Sequence, residues 1–76
     1  MFTKEYFAEC LRVERARRKL TQRELAEKVG VSKDSIRIWE DENDATVPGF
    51  ATVCELADVL GCNVDDFACH PQEAVA

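Results

Sequence analysis

Four cysteines, Cys10, Cys54, Cys62 and Cys69, and one histidine, His70, carry the most versatile chemistry in this chain. Together they raise the question of zinc. Structural zinc sites draw on closely spaced ligand pairs such as Cys-x-x-Cys, and no such pair occurs here. No metal and no cofactor is expected. Nucleophilic catalysis needs a base beside the nucleophile. The single histidine lies near the end of the chain, and no glycine-rich phosphate loop is present, so no enzymatic role is expected. The basic residues are more informative. All ten Lys and Arg fall within residues 1–39, against six acids, whereas residues 40–76 hold nine acids and no Lys or Arg. The net charge of −5 therefore hides a dipolar chain. Its first half can face a polyanion and its second half cannot.

The elements that hold these charges must fit within 76 residues, which allows one domain. A chain this short buries only about 60% of its unfolded surface, so a sizeable cleft beside an intact core is not expected. A hydrophobic content of 46% with 33% charged residues suits a folded domain rather than a disordered one. No apolar run approaches the roughly 18 residues of a membrane span. The opening MFTKEYFAEC is charged and amphipathic, unlike a secretory signal. These features predict a cytoplasmic protein with its cysteines as thiols.

Gly30, Pro48–Gly49 and Gly61 cut the chain into pieces of helical length. Thr3 is a candidate N-cap for the first piece, with Phe7, Leu11 and Leu20 near one face and Cys10 and Ala16 beside them. Thr21-Gln22-Arg23-Glu24 reads as a capping box opening the second. Leu25, Ala26 and Val29 form its apolar face, and Gly30 is its left-handed terminus. Ser32 caps a third piece through Ile36 and Trp39, both assigned to the core. Only Gly30, Val31 and Ser32 separate these two helices, which forces a large crossing angle. After the acidic segment 41–47, Pro48 suits the first turn of a fourth helix, with Phe50, Val53, Leu56, Ala57 and Leu60 at helical spacing. Asn63 caps a short fifth helix with Val64 and Phe67 inward. No segment alternates with period two. The chain is expected to be all-α, with helices near 3–19, 22–29, 33–40, 49–60 and 64–69. The domain spans 1–69, and 70–76 is expected to be a frayed tail.

The second and third helices satisfy a demanding pattern. Counting from Gln22 as the first place, the fifth is Ala26, small enough for close helix approach, and the ninth is Gly30. Places four, eight, ten, fifteen and eighteen are the apolar Leu25, Val29, Val31, Ile36 and Trp39. Through LTQRELAEKVGVSKDSIRIWE and VCELADVLGCNVDDF, the chain resembles the Cro/C1-type (XRE-like) helix–turn–helix domains of bacterial and phage repressors. The resemblance covers about Phe7 to Phe67. It implies an all-α, five-helix, lambda-repressor-like fold whose third helix lies in the DNA major groove.

By the same resemblance, Gln22 matches a phosphate-binding glutamine. Ser32, Lys33, Asp34 and Ser35 match the first turn of the recognition helix. Lys33 suits guanine or a phosphate, and Asp34 can accept from cytosine N4. Arg37 suits a phosphate or a base, and Ile38 a thymine methyl. Arg15 and Glu40 match an ion pair joining the first helix to the end of the third. Two positions depart from the pattern. The loop 40–44 is acidic and without a cation where Gly followed by Lys or Arg is usual, and Ile38 stands where a polar residue is commoner. Arg17, Arg18 and Lys19 fit either a phosphate patch or a solvated helix end.

The implied function is that of a sequence-specific duplex DNA-binding, repressor-like transcription regulator, acting as a homodimer. Val64, Phe67 and the positions near Cys62 are the expected dimer face. The alternative is a protein-interaction module that uses the acidic 40–66 face, with weak or no DNA binding.

Overall fold

The computed structural model describes residues 3–68, which form five helices and, among the described residues, no strand. They are α1 (Lys4–Arg17), α2 (Gln22–Val29), α3 (Lys33–Trp39), α4 (Phe50–Leu60) and α5 (Asp65–Ala68). Cys69, His70 and the rest of the expected tail lie outside the described residues.

Local sequence explains most of the ends. The Thr3 hydroxyl accepts from the Tyr6 amide at 3.1 Å and starts α1. α1 stops short of the predicted boundary because Lys19 turns left-handed, with φ 56°. That turn is closed by the Lys19 amide on the Ala16 carbonyl and the Leu20 amide on the Arg15 carbonyl, at 2.9 and 3.2 Å. An L-residue with a side chain resists this conformation, whereas glycine adopts it readily. Lys19→Gly is therefore expected to raise stability by up to ~1 kcal/mol, read as a higher denaturant midpoint. A lower midpoint would mean that the lysine side chain contributes more than its backbone costs.

α2 packs against α3 and α4, and α1 packs against α3 and α5. Between them lies a core of Phe7, Leu11, Leu25, Ile36, Leu56, Leu60 and Phe67, each almost fully buried. Trp39 joins this core as expected, and Ala8 and Ala26 let the helices approach. Phe7 and Phe67 meet with ring centroids 5.4 Å apart, tying α5 to α1.

Two expectations change and one holds. Pro48 is not in the first turn of α4. The helix begins at Phe50, with Gly49 as an extended N-cap and Pro48 buried just before it. Phe50 shares the apolar spacing of α4 but is 74% exposed, because it leads the helix and the core begins one turn later at half-buried Val53. Phe67 is only 1% exposed. It points inward, as its spacing predicts, and belongs to the domain's own core.

Candidate nucleic-acid interface

The interface is built on the α2–turn–α3 unit. Its first cap is reciprocal: the Thr21 hydroxyl accepts from the Glu24 amide at 3.0 Å, and the Glu24 carboxylate accepts from the Thr21 amide at 2.8 Å. Those bonds hold the Glu24 carboxyl below its usual range, the backbone bond most strongly. At the far end Gly30 sits at φ 86°, and the Gly30 and Val31 amides both return to the Ala26 carbonyl. The chain then enters α3 through Ser32, whose hydroxyl accepts from the Ser35 amide at 3.1 Å and lies 2.9 Å from the Ser35 hydroxyl.

This arrangement fixes what α3 presents. Ile36 and Trp39 point into the core, so Lys33, Asp34 and Arg37 are exposed and Ser35 is half-buried. Arg37 Nε lies 3.7 Å from Asp34 Oδ1, an exposed pair on one face of the helix. Ile38 is half-buried and packs partly against the core, which leaves only part of it for an outside contact.

The base of α3 is held by a polar hub. Arg15 Nε donates to Glu40 Oε2 at 2.6 Å and Arg15 Nη2 to Glu40 Oε1 at 3.1 Å. Arg15 Nη1 donates to the Leu20 carbonyl at 2.8 Å. Gln22 Nε2 donates to Glu40 Oε1 at 3.0 Å. One carboxylate thus joins α1, the start of α2 and the end of α3. Gln22 is half-buried and half-committed: its amide nitrogen carries two N–H groups, and the hub uses one of them.

The acidic loop after α3 is supplied with cations from α1. Lys4 Nζ donates to the carbonyls of Ile38, at 3.2 Å, and Asp41, at 2.9 Å, and also to that of Asp44. Arg12 Nη1 donates to the Glu40 carbonyl at 2.7 Å and lies 4.0 Å from Glu42. Sequence reading missed both roles. The available signal was spacing: Lys4, Arg12 and Arg15 recur at near-whole turns of α1 and so share one face. The carboxylates of the loop close on its own backbone. Asp41 accepts from the Asn43 amide and Asp44 from the Thr46 amide. Bonds from Thr46, and then the positive charges of Lys4 and Arg37, hold the Asp44 carboxyl below its usual range.

Residues 7–68 match the family model for a helix-turn-helix domain. The chain belongs to that helix-turn-helix family. No curated protein matches it. Among solved structures, the domain is similar to a hypothetical transcription factor, NHTF, from Neisseria, with a TM-score of 0.79 and 21% identity over 95% of this chain and 80% of that one. It is also similar to hydroxypropylphosphonic acid epoxidase from S. wedmorenis in complex with fosfomycin, with a TM-score of 0.77 and 22% identity over 91% of this chain. The helix-turn-helix domain spans only 36% of that epoxidase chain. At these identities the likeness is one of fold.

The remaining candidates sort by their partners. Arg18 Nε donates to the Leu60 carbonyl at 2.6 Å and so caps α4, while Arg17 lies 3.4 Å from Glu14 on the surface. No cluster suited to a metal ion occurs among the described residues. The Cys10 thiol lies 3.2 Å from the Asp66 carbonyl. Burial first, then nearby Cys62 and carboxylates, push its pKa up to about 12. Burial likewise takes Cys62 to about 11, so both stay protonated at neutral pH.

Proposed function

We propose that this helix-turn-helix domain binds duplex DNA sequence-specifically as a repressor-like transcriptional regulator in the cytoplasm. The observation that carries this reading is the exposed row of Lys33, Asp34 and Arg37 on α3, opposite the buried Ile36 and Trp39. Those three side chains offer donors and an acceptor to base edges, with Ile38 adding an apolar edge for a thymine methyl. Ser32, Ser35 and the uncommitted N–H of Gln22 take phosphates and set the register. The reading includes no catalytic step, cofactor or membrane.

Two copies bind a two-fold site, with the DNA bringing them together. Phe67 is almost fully buried, and the exposed Asp65 and Asp66 beside it would repel their images in a free dimer joined through α5. Sedimentation is expected to give a monomer alone and two chains per duplex at saturation.

The direct test is selection of bound duplexes from a random library at fixed salt. Gln22→Ala is expected to weaken binding to all duplexes alike. Lys33→Ala or Asp34→Ala is expected to alter the preferred base at one position, by ~1–3 kcal/mol of discrimination where the contact is bidentate. An unchanged preference in both α3 variants would remove α3 as the reading helix.

A further inference from the structure

At the α4–α5 end the surface opens into an apolar groove of about 320 Å³. Phe7 and Phe67 form its deepest part, each 1% exposed, and Pro48 and Val53 line it above them. Phe50 and Val47 stand outermost, and Phe50 at 74% exposure is the largest uncovered apolar side chain described. None of the lining residues comes from α2 or α3, so a molecule seated here leaves the proposed DNA-reading row uncovered. An apolar groove capped by an exposed aromatic is the receptor half of helix-in-groove recognition, in which anchors at i, i+3 and i+7 of an amphipathic helix enter together.

The charges around it select the occupant. All of the lining except Phe7 belongs to residues 40–68, which carry eight acids and no Lys or Arg. Asp65 and Asp66, beside the lining residues Val64 and Phe67, are exposed. Lys4, one turn before Phe7 on α1, is turned onto the carbonyls of Ile38, Asp41 and Asp44 rather than toward an incoming partner. A second copy in a two-fold contact would set Asp65 and Asp66 against their own images, and like-charge juxtaposition opposes association. The chain's own residues 69–76 bring Glu73 and no Lys or Arg. We propose that the groove receives the apolar face of a cationic amphipathic helix from a protein partner, held by Phe50 and selected by Asp65 and Asp66.

The test uses the full chain and three labelled synthetic helical peptides, read by fluorescence anisotropy. The first has leucines at i, i+3 and i+7 and lysines on its other face. The second replaces those lysines by glutamates, and the third replaces the leucines by serines. The first is expected to bind, with the other two weaker by about tenfold or more. Phe50→Ser is neutral and at an exposed position, so the fold is retained. It should weaken the first peptide by about tenfold while leaving duplex DNA binding unchanged. That separation distinguishes failure of this proposal from failure of the DNA-binding reading. Equal binding of the leucine and serine peptides, or of the lysine and glutamate peptides, overturns the proposal, as does indifference to Phe50→Ser. It is also overturned if no peptide binds. A concentration-dependent dimer abolished by Phe50→Ser would assign the groove to a second copy. Nuclear Overhauser contacts between Phe50 and Val75 in the free chain would assign it to the chain's own terminus.

Discussion

Arg15→Ala is expected to destabilise the domain by about 3–5 kcal/mol, the usual consequence of stranding one member of a buried ion pair. Glu40 is the member left behind, and its side chain is only 4% exposed. It would keep a single side-chain donor, Gln22, where it now has three bonds. The Leu20 carbonyl would lose the Arg15 guanidinium as well. Total stability for a domain of this size is roughly 4–11 kcal/mol, so the loss is a large share of it. A shift of about 4–8 °C per kcal/mol puts the fall in melting temperature well above experimental scatter. Arg15→Lys retains the charge but not the fork, and is expected to fall between parent and alanine variant. Removing both partners, as Arg15→Ala with Glu40→Ala, should recover part of the loss, because no buried charge is then unpaired. An unchanged melting curve for Arg15→Ala would mean that the pair contributes nothing to folding.

That hub shows where reading a sequence stops. The caps at Thr3, Thr21 and Ser32 were legible because each bond spans only three residues, and the glycine at position 30 because a left-handed terminus favours that residue. Arg15 and Glu40 lie 25 positions apart, and no local rule connects them. The family resemblance brought that pair to attention. Lys4 was out of reach of both approaches, since its targets are backbone carbonyls 34 to 40 residues away, which any sequence would offer. Phe50 illustrates the converse limit. Its spacing matched the buried face of α4, but periodicity sets only the side of a helix, not how far along it the neighbours reach. The commitment of Phe67 to Phe7 likewise depends on where α5 lands on α1.

The acidic loop yields the largest expected change in DNA affinity. Asp41 and Glu42 are exposed immediately after α3, and Asp44 is half-buried beside them. Lys4 and Arg12 reach this loop, yet their closest bonds are to its carbonyls rather than to its carboxylates. Beside a duplex they would oppose the phosphates that supply much of the affinity. The combined change Asp41→Asn, Glu42→Gln and Asp44→Asn removes three negative charges and preserves the loop. An amide oxygen can still accept from the Asn43 and Thr46 amides, and the Lys4 bonds to backbone are untouched. Binding is expected to tighten by about tenfold at low salt, with the gap closing as the Debye length falls to ~10 Å at 0.1 M and below that at higher salt. The slope of log affinity against log salt should steepen by up to ~0.9 for each carboxylate that had been cancelling a phosphate contact. Fluorescence anisotropy across a salt series reads both quantities, and circular dichroism checks that the helices persist. Equal affinities for parent and variant at low salt would turn the loop away from the duplex. If neither protein binds any duplex even at low salt, the DNA-binding reading is wrong, and the acidic half becomes the functional half of the chain.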